Sequence, residues 1–461
     1  MVPSTAAGRS DRLGMLDVLR FVAAFAVIGF HFLARDSPAW GGAVPDEVAG
    51  AGQWAAYGRL GVPLFFVISG FVILMSSWGR DVPTFAASRV GRLYPAYWVS
   101  VVLSVAISFV LWPSYAAFFG GKESPSEAVL NLTMVHQAFG AGSVSGVYWT
   151  LWYEARFYLL IALLVLVGMT RGRVLAFAAL WPVLGAVADE AGSELLTTLL
   201  LPTYAPFFAG GMLLYVLYRD GHDRGTWLLV GLNAVIALHF SLRIHENALT
   251  ELTPFEPSTI VIALLTLACF GLVALATLTR VAHWNARWMV AAGALTYPIY
   301  LVHENLGWFV IAHLRGRIGA WGAIAVAVGV ALVAAWLLHR FVEKPFGPKL
   351  RLVTLEMLRR TTAERPGGAR EVVSEFDELD YDDYEDDRYE DAEPVADDRR
   401  APVQAARRPV PPPFVRHEVD QRTDDDWRDE DDWQEQTLVT SPMRLPRLDR
   451  DDAVGAGRPT R

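Results

Sequence analysis

Ten apolar stretches of roughly 17 to 25 residues recur through the first 340 residues of this chain. In hydrocarbon every backbone N–H and C=O must be satisfied internally, so stretches of that length fold as membrane-crossing α-helices. They start near Leu16, Gly58, Leu93, Val147, Val174, Thr198, Trp227, Ser258, Trp288 and Ala320. The fifth and seventh are short, and polar groups interrupt the ninth. The expected fold is all-α, a polytopic membrane bundle of about ten transmembrane helices over residues 15–348, between an N-terminal segment (1–14) and a tail (349–461). A chain that is 53% hydrophobic with a mean hydropathy of +0.29 fits that class and excludes a large soluble enzyme.

The net charge of −9 averages two unlike parts. From residue 362 onward there are 29 acids and 15 bases, so the acidity lies in the tail and the membrane body is mildly basic. EFDELDYDDYEDDRYEDAEP, RRPVPPPF and TDDDWRDEDDW combine charge runs and prolines with few aliphatics. Such segments bury too little surface to order themselves, so a cytoplasmic, mostly disordered tail is expected. Trp427 and Trp433 among the acids offer the alternative of docking a protein partner. The single cysteine, Cys269, excludes an intrachain disulfide and reads as a small core residue. The first apolar run follows Arg9 and Arg12 but contains Arg20 and has no small-x-small exit, so it reads as a retained span.

Lys and Arg in the short loops set the orientation. Arg9 and Arg12 precede span one; Arg80, Arg89 and Arg92 follow span two; Arg171 and Arg173, Arg219 and Arg224, and Arg280 and Arg287 follow spans four, six and eight. Arg340, Lys344, Lys349 and Arg351 close the series. The intervening loops are poorer, with Arg35, Arg59, Arg243, Arg315 and Arg317 as dissenters. Both termini are therefore expected in the cytoplasm, with the body in the inner (cytoplasmic) membrane.

Ionisable residues inside such spans are costly and mark sites or structural pairs. Arg20 and His31 lie in span one, LDVLRFVAAFAVIGFHFLA. Eleven residues at 100° each place them within about 20° on one face and about 16 Å apart along the axis. Glu154 sits one to two turns into span four, and His303 lies about 22 Å along span nine. By this counting His31, Glu154 and His303 converge on one depth, in the outer third of the bilayer. The structural alternatives are an ion pair of Glu154 with Arg156 and an interfacial role for His303. Arg89 and Arg92, three residues apart in SRVGRLYPAYW, suit phosphate groups, or simply mark the cytoplasmic side. Pro95 and Pro298 read as helix bends, and Ser69 and Gly70 as packing residues. The H-x4-D spacing of His31 and Asp36 is discarded, because Asp36 falls in the outer loop. Histidines on separate helices lack metal-ligand spacing, so no metal is expected.

Six segments occur in a fixed order between about residues 12 and 348: LDVLRFVAAFAVIGFHF, GVPLFFVISGFVI, RVGRLYPAYW, WTLWYEARFYLL, YPIYLVHE and FVEKPF. With them the chain resembles the bacterial integral-membrane acyltransferase-3 family, which O-acylates sugars and related metabolites. The resemblance implies ten helices and an acyl-CoA donor, acetyl-CoA by default, entering from the cytoplasm. It marks Arg20 and His31 as the family's essential helix-one pair, Arg89 and Arg92 as its cytoplasmic arginine pair, and Glu154 and His303 as further motif positions. Ala155 and Arg156 depart from the small-residue pair that follows the glutamate.

The expected protein is thus an O-acyltransferase that moves an acyl group from acyl-CoA to a hydroxyl of a cell-envelope glycan, glycolipid or glycosylated metabolite. Arg89 and Arg92 hold the donor phosphates, Arg20 guides its pantetheine arm, His31 is the general base, and Glu154 or His303 orients it or stabilises charge. The partners expected are acyl-CoA, the carbohydrate acceptor and the lipid bilayer, with no nucleic acid. The rival is a proton-coupled secondary transporter relaying protons through His31, Glu154 and His303. The lack of internal repeats and the phosphate-suited arginine pair argue against it.

Overall fold

A computed structural model of the protein describes residues 13–112 and 125–363, and each apolar stretch within them is a helix. Among these residues nine helices are long and apolar enough to cross a membrane, the last running from Arg287 to Thr361 over 75 residues. At 1.5 Å per residue that helix would be about 110 Å long, several times the bilayer core. Gly319, at φ 74° and ψ 171°, breaks it in two, which gives ten candidate crossings among the described residues.

They are α1 (Gly14–Ala34), α2 (Gly61–Ser77), α3 (Val82–Leu111), α4 (Trp149–Val167), α5 (Arg171–Glu190) and α6 (Ala205–Asp220). Then follow α7 (Arg224–Leu252), α8 (Thr259–Leu278), α9 (287–318) and α10 (320–338). A π turn, His339–Glu343, leads into α11 (Lys344–Ala363), which lies along α3. The helical body thus continues past the boundary expected at residue 348. Gly91 makes that contact close: a Cβ there would stand 2.7 Å from the Gly347 carbonyl oxygen. The protein is a multi-pass, all-α membrane bundle, and no strand occurs among the described residues. Arg9, Arg12, Lys122, Trp427, Trp433 and the acidic tail lie outside them.

Consecutive crossings reverse direction, so the bundle has a near end, where α1 begins, and a far end. At the near end, Asp81, Thr170 and Asp223 cap α3, α5 and α7 by accepting from the Thr84, Arg173 and Thr226 amides. The Thr226 hydroxyl and amide hold the Asp223 carboxyl below the usual carboxylate range, and Arg171 Nη2 pairs with it at 2.6 Å.

Gly70 and Gly211 set the central packing. A Cβ at Gly70 would lie 2.0 Å from the Phe208 carbonyl oxygen, and one at Gly211 2.0 Å from that of Val67. These small residues let α2 and α6 cross backbone to backbone, as the packing reading of Gly70 anticipates. Gly70→Leu should force the helices apart and destabilise the protein by about 1–3 kcal/mol. A lower unfolding temperature in detergent would show it; an unchanged one would mean the crossing yields freely.

The connection before α4 does not stay at the surface. Val144, Ser145, Val147 and Tyr148 are buried although the chain there is not helical. Buried irregular backbone needs partners, and side chains supply them. Asn131 Oδ1 accepts from the Val144 amide (3.1 Å), and Asn305 Nδ2 donates to the Val144 carbonyl (2.8 Å). Thr150 and Tyr300 join their hydroxyls at 2.8 Å. Helix α4 therefore begins inside the bundle, level with Tyr300 of α9.

Candidate active site

Phe30–Ala34 closes α1 as a π turn, with the Arg35 amide donating to the Phe30 carbonyl at 2.9 Å. A π turn breaks the regular ladder and exposes carbonyls to other donors. Here the Trp308 indole N–H takes the His31 carbonyl at 2.9 Å, tying the turn to α9. The His31 ring is thereby held against α9. Its Nδ1 lies 3.3 Å from Glu304 Oε1, and its plane meets that of His303 edge-on with 5.2 Å between centroids.

Glu304 is completely buried. Arg35 Nη1 donates to Oε1 at 2.8 Å and also stands 3.4 Å from His31 Nδ1. Ser145 Oγ donates to Oε2 at 3.1 Å, and the Gly146 and Val147 amides also donate to the carboxylate. A buried carboxylate needs such a set of donors and a counter-charge. Glycine is required at position 146: a Cβ there would lie 2.5 Å from Oε1. Gly146→Ala should displace the carboxylate and lower turnover roughly tenfold or more, because angstrom-scale misplacement is expensive. Activity equal to the parent protein would mean the segment simply backs away.

His303 stands behind His31 and does not line the cavity described below. Its Nδ1 faces the carbonyls of Ile299 (3.2 Å) and Tyr300 (2.9 Å), which only accept, so Nδ1 carries a proton. Its Nε2 is buried and has no hydrogen-bond partner among the described residues.

A cavity of about 160 Å³ opens in front of His31. Arg35, Arg59, Trp149 and Tyr300 line it with His31, over an apolar floor of Val27, Phe30, Val62 and Leu252. With Nδ1 turned to Glu304 and Arg35, Nε2 is the His31 nitrogen left for a reactant. No group of three or more His, Cys, Asp or Glu side chains among the described residues could hold a metal ion.

Glu154 is not part of this cavity, which corrects the expected convergence of three helices. It accepts a hydrogen bond from Tyr158, and its charged neighbours are Arg89, Arg20 and Arg92. The depth count assumed that span four starts at the membrane surface. Because α4 starts level with Tyr300, Glu154 lies about 6 Å further toward the near end. The carboxylate beside His31 is Glu304, adjacent in sequence to His303.

Around Glu154, Arg20 pairs with Asp17 at 3.6 Å, and Arg92 lies 3.9 Å from the buried Glu343, whose other oxygen meets His339 Nδ1 at 2.8 Å. Arg89 lies over the Phe85 ring, and its Nε donates to the Ser88 hydroxyl. Arg20, Arg89 and Arg92 therefore share one neighbourhood with Glu154, apart from the histidines. Arg156 is not paired with Glu154; it donates to the Thr198 carbonyl at 2.6 Å and lies over Tyr153. Asp36 Oδ1 accepts from the Val44 amide, a turn-stabilising role. Among the charges that dissent from the loop pattern, Arg35 and Arg59 point into the cavity and Arg243 pairs with Asp189.

The chain is 25% identical over 280 residues to a protein of Acidianus two-tailed virus named "Putative acetyltransferase ORF330", covering 59% of this chain and 78% of that one. No solved structure matches it. A family profile described as "Acyltransferase domain" matches residues 14–340, from the first turn of α1 to the π turn after α10. That match takes in every crossing, the His31–Glu304 site and Arg20, Arg89, Arg92 and Glu154, and on it the chain belongs to the acyltransferase-3 family and is a membrane acyltransferase.

Proposed function

We propose that the protein is an acyl-CoA-dependent O-acyltransferase of the inner membrane, with the near end of its bundle in the cytoplasm. The observation that carries this reading is His31, backed by a buried carboxylate and facing a small cavity. With the Nδ1 proton directed to Glu304, 3.3 Å away, in place of the 3.4 Å donation from Arg35, Nε2 accepts a proton from the acceptor hydroxyl. The hydroxyl oxygen attacks the thioester carbonyl directly. The imidazolium that forms is held by Glu304 and then protonates the departing thiolate. Such base catalysis supplies about 10²- to 10⁴-fold, and positioning of the two substrates in a closed cavity supplies much of the rest. His303 braces the His31 ring.

Arg89 and Arg92 hold the phosphates of the donor, and Arg20 and Glu154 lie between them and His31. The roughly 16 Å from Arg20 to His31 is a length that an extended pantetheine arm covers. Acetyl is the default acyl group. The acceptor is a hydroxyl of a cell-envelope glycan, glycolipid or glycosylated metabolite, reaching His31 from the opposite end.

Thiol release from acetyl-CoA by membrane vesicles, with mass spectrometry of envelope glycans from a deletion strain, tests the reaction. Acetyl-CoA consumption and loss of a glycan acyl group on deletion are expected. Proton-coupled solute uptake in liposomes without acyl-CoA would overturn it in favour of a transporter. Arg89→Ala should raise the KM for acetyl-CoA about 10- to 100-fold, the worth of a charged hydrogen bond, and change kcat little. An unchanged KM would reduce Arg89 to a topology signal. Arg92→Ala is a less clean test, since it also strips the buried Glu343 of a cation.

A further inference from the structure

We propose that Arg59 is the oxyanion site of this enzyme, receiving the negative charge that develops on the carbonyl oxygen of the transferred acyl group. The inference rests on the acyltransferase reading above and adds a residue to it. Arg59 lines the cavity in front of His31, with its guanidinium 5.8 Å from the centre of the Trp149 ring. Its Nε is buried and has no hydrogen-bond partner, and no carboxylate among the described residues pairs with it. The carboxylate nearest His31, Glu304, is already held by Arg35 and Ser145.

Charge balance identifies the occupant. A half-buried cation with no carboxylate partner, facing a closed cavity, is costly unless something in the cavity meets it. In the transfer step the acceptor hydroxyl oxygen forms a bond to the thioester carbon, and the carbonyl π pair moves onto oxygen. The hydroxyl proton passes to His31 Nε2. On collapse the C=O bond re-forms, the C–S bond breaks, and the thiolate takes the proton back from His31. One negative charge is therefore created beside one imidazolium. Glu304 faces the imidazolium, which leaves the oxyanion to the cation that has no carboxylate of its own. A permanently anionic acceptor group at Arg59 would occupy that cation and leave the oxyanion without one.

The placement agrees with the donor's path. Gly58 and Gly61 flank Arg59, and Cβ atoms there would lie 1.9 and 2.6 Å from the carbonyl oxygens of Ala26 and Ala23. The short turn Ala56–Leu60 is thus pinned to α1 by glycines that allow close backbone approach. Ala26 precedes His31 by five residues, about 7.5 Å toward Arg20 along the helix. Arg59 is anchored on the side of His31 from which the thioester arrives, and a rigidly backed donor is what oxyanion stabilisation requires.

The test measures thiol release from acetyl-CoA, per inserted enzyme, in vesicles that carry the native envelope acceptors. Arg59→Met should lower kcat about 10²- to 10³-fold with the KM for acetyl-CoA little changed. Arg59→Lys should recover at least about tenfold of that loss, because an ammonium restores the charge but not the planar fork. Thermal unfolding in detergent should not fall in either variant, since no ion pair is broken. Turnover of Arg59→Met within threefold of the parent overturns the assignment. So does a raised KM at constant kcat, which would indicate a ground-state anion, and so does failure of both variants to fold, which would make Arg59 structural. If the parent and His31→Ala release thiol equally, the acyltransferase reading of the site fails and this inference falls with it. A dead His31→Ala beside a fully active Arg59→Met overturns this inference alone.

Discussion

His31→Ala, inserted in membranes at the parent level, should release thiol from acetyl-CoA at least about 10³-fold more slowly than the parent protein. The imidazole supplies the proton acceptor, and among the residues lining the cavity only His31 can do so at neutral pH; the others are arginines, a tyrosine and apolar groups. Truncation also removes the ring that packs on His303 and Trp308, so insertion and folding must be followed alongside turnover. Helix α1 keeps its ties to α9 through the His31 carbonyl, which the substitution leaves in place. His31→Gln is the companion variant: it keeps volume and polarity but cannot cycle a proton near neutrality. Wild-type turnover by either protein would remove His31 from the chemistry.

Glu304→Gln should produce the second-largest loss, about 10²- to 10⁴-fold in kcat, with substrate KM values largely preserved. In Ser-His-Asp enzymes, neutralising the carboxylate behind the histidine lowers kcat by about 10⁴-fold through the wrong tautomer and a less stable imidazolium. Glutamine keeps the volume and one acceptor oxygen for the Ser145 hydroxyl, although its NH2 then faces Arg35, so the buried segment before α4 stays docked with a smaller loss of stability than full truncation brings. Glu304→Ala is the contrasting variant. It leaves Arg35 without its 2.8 Å partner and should cost about 3–5 kcal/mol of stability, as breaking a buried pair does. A Glu304→Gln protein with turnover within threefold of the parent, but a lower unfolding temperature, would make Glu304 an anchor for residues 144–147 and nothing more.

The two histidines show why part of the site was legible. Each is an ionisable group in an apolar stretch, and a count of 1.5 Å per residue places both toward the far end. Glu154 shows where that count fails: α4 starts below the surface, because residues 144–148 are buried in the bundle instead of lying over it. Glu304 sits beside His303 in sequence, and its composition signal is the same; only the packing of α9 against the π turn of α1 gives it a role of its own. Arg35 and Arg59 looked like exceptions to a loop-charge rule, because a sequence does not show that a loop residue folds back into a cavity.

Length and apolarity of the stretches determined the helical class and the multi-pass character, because apolar runs of that length satisfy their backbone in hydrocarbon as helices. Local spacing likewise determined that Arg89 and Arg92 share a side. The partnership of His31 with Glu304, the exclusion of Glu154 from their cavity and the turning of Arg59 into it were decided by the tertiary structure. They depend on where one helix begins relative to its neighbours, and that level is set by contacts between residues more than a hundred positions apart.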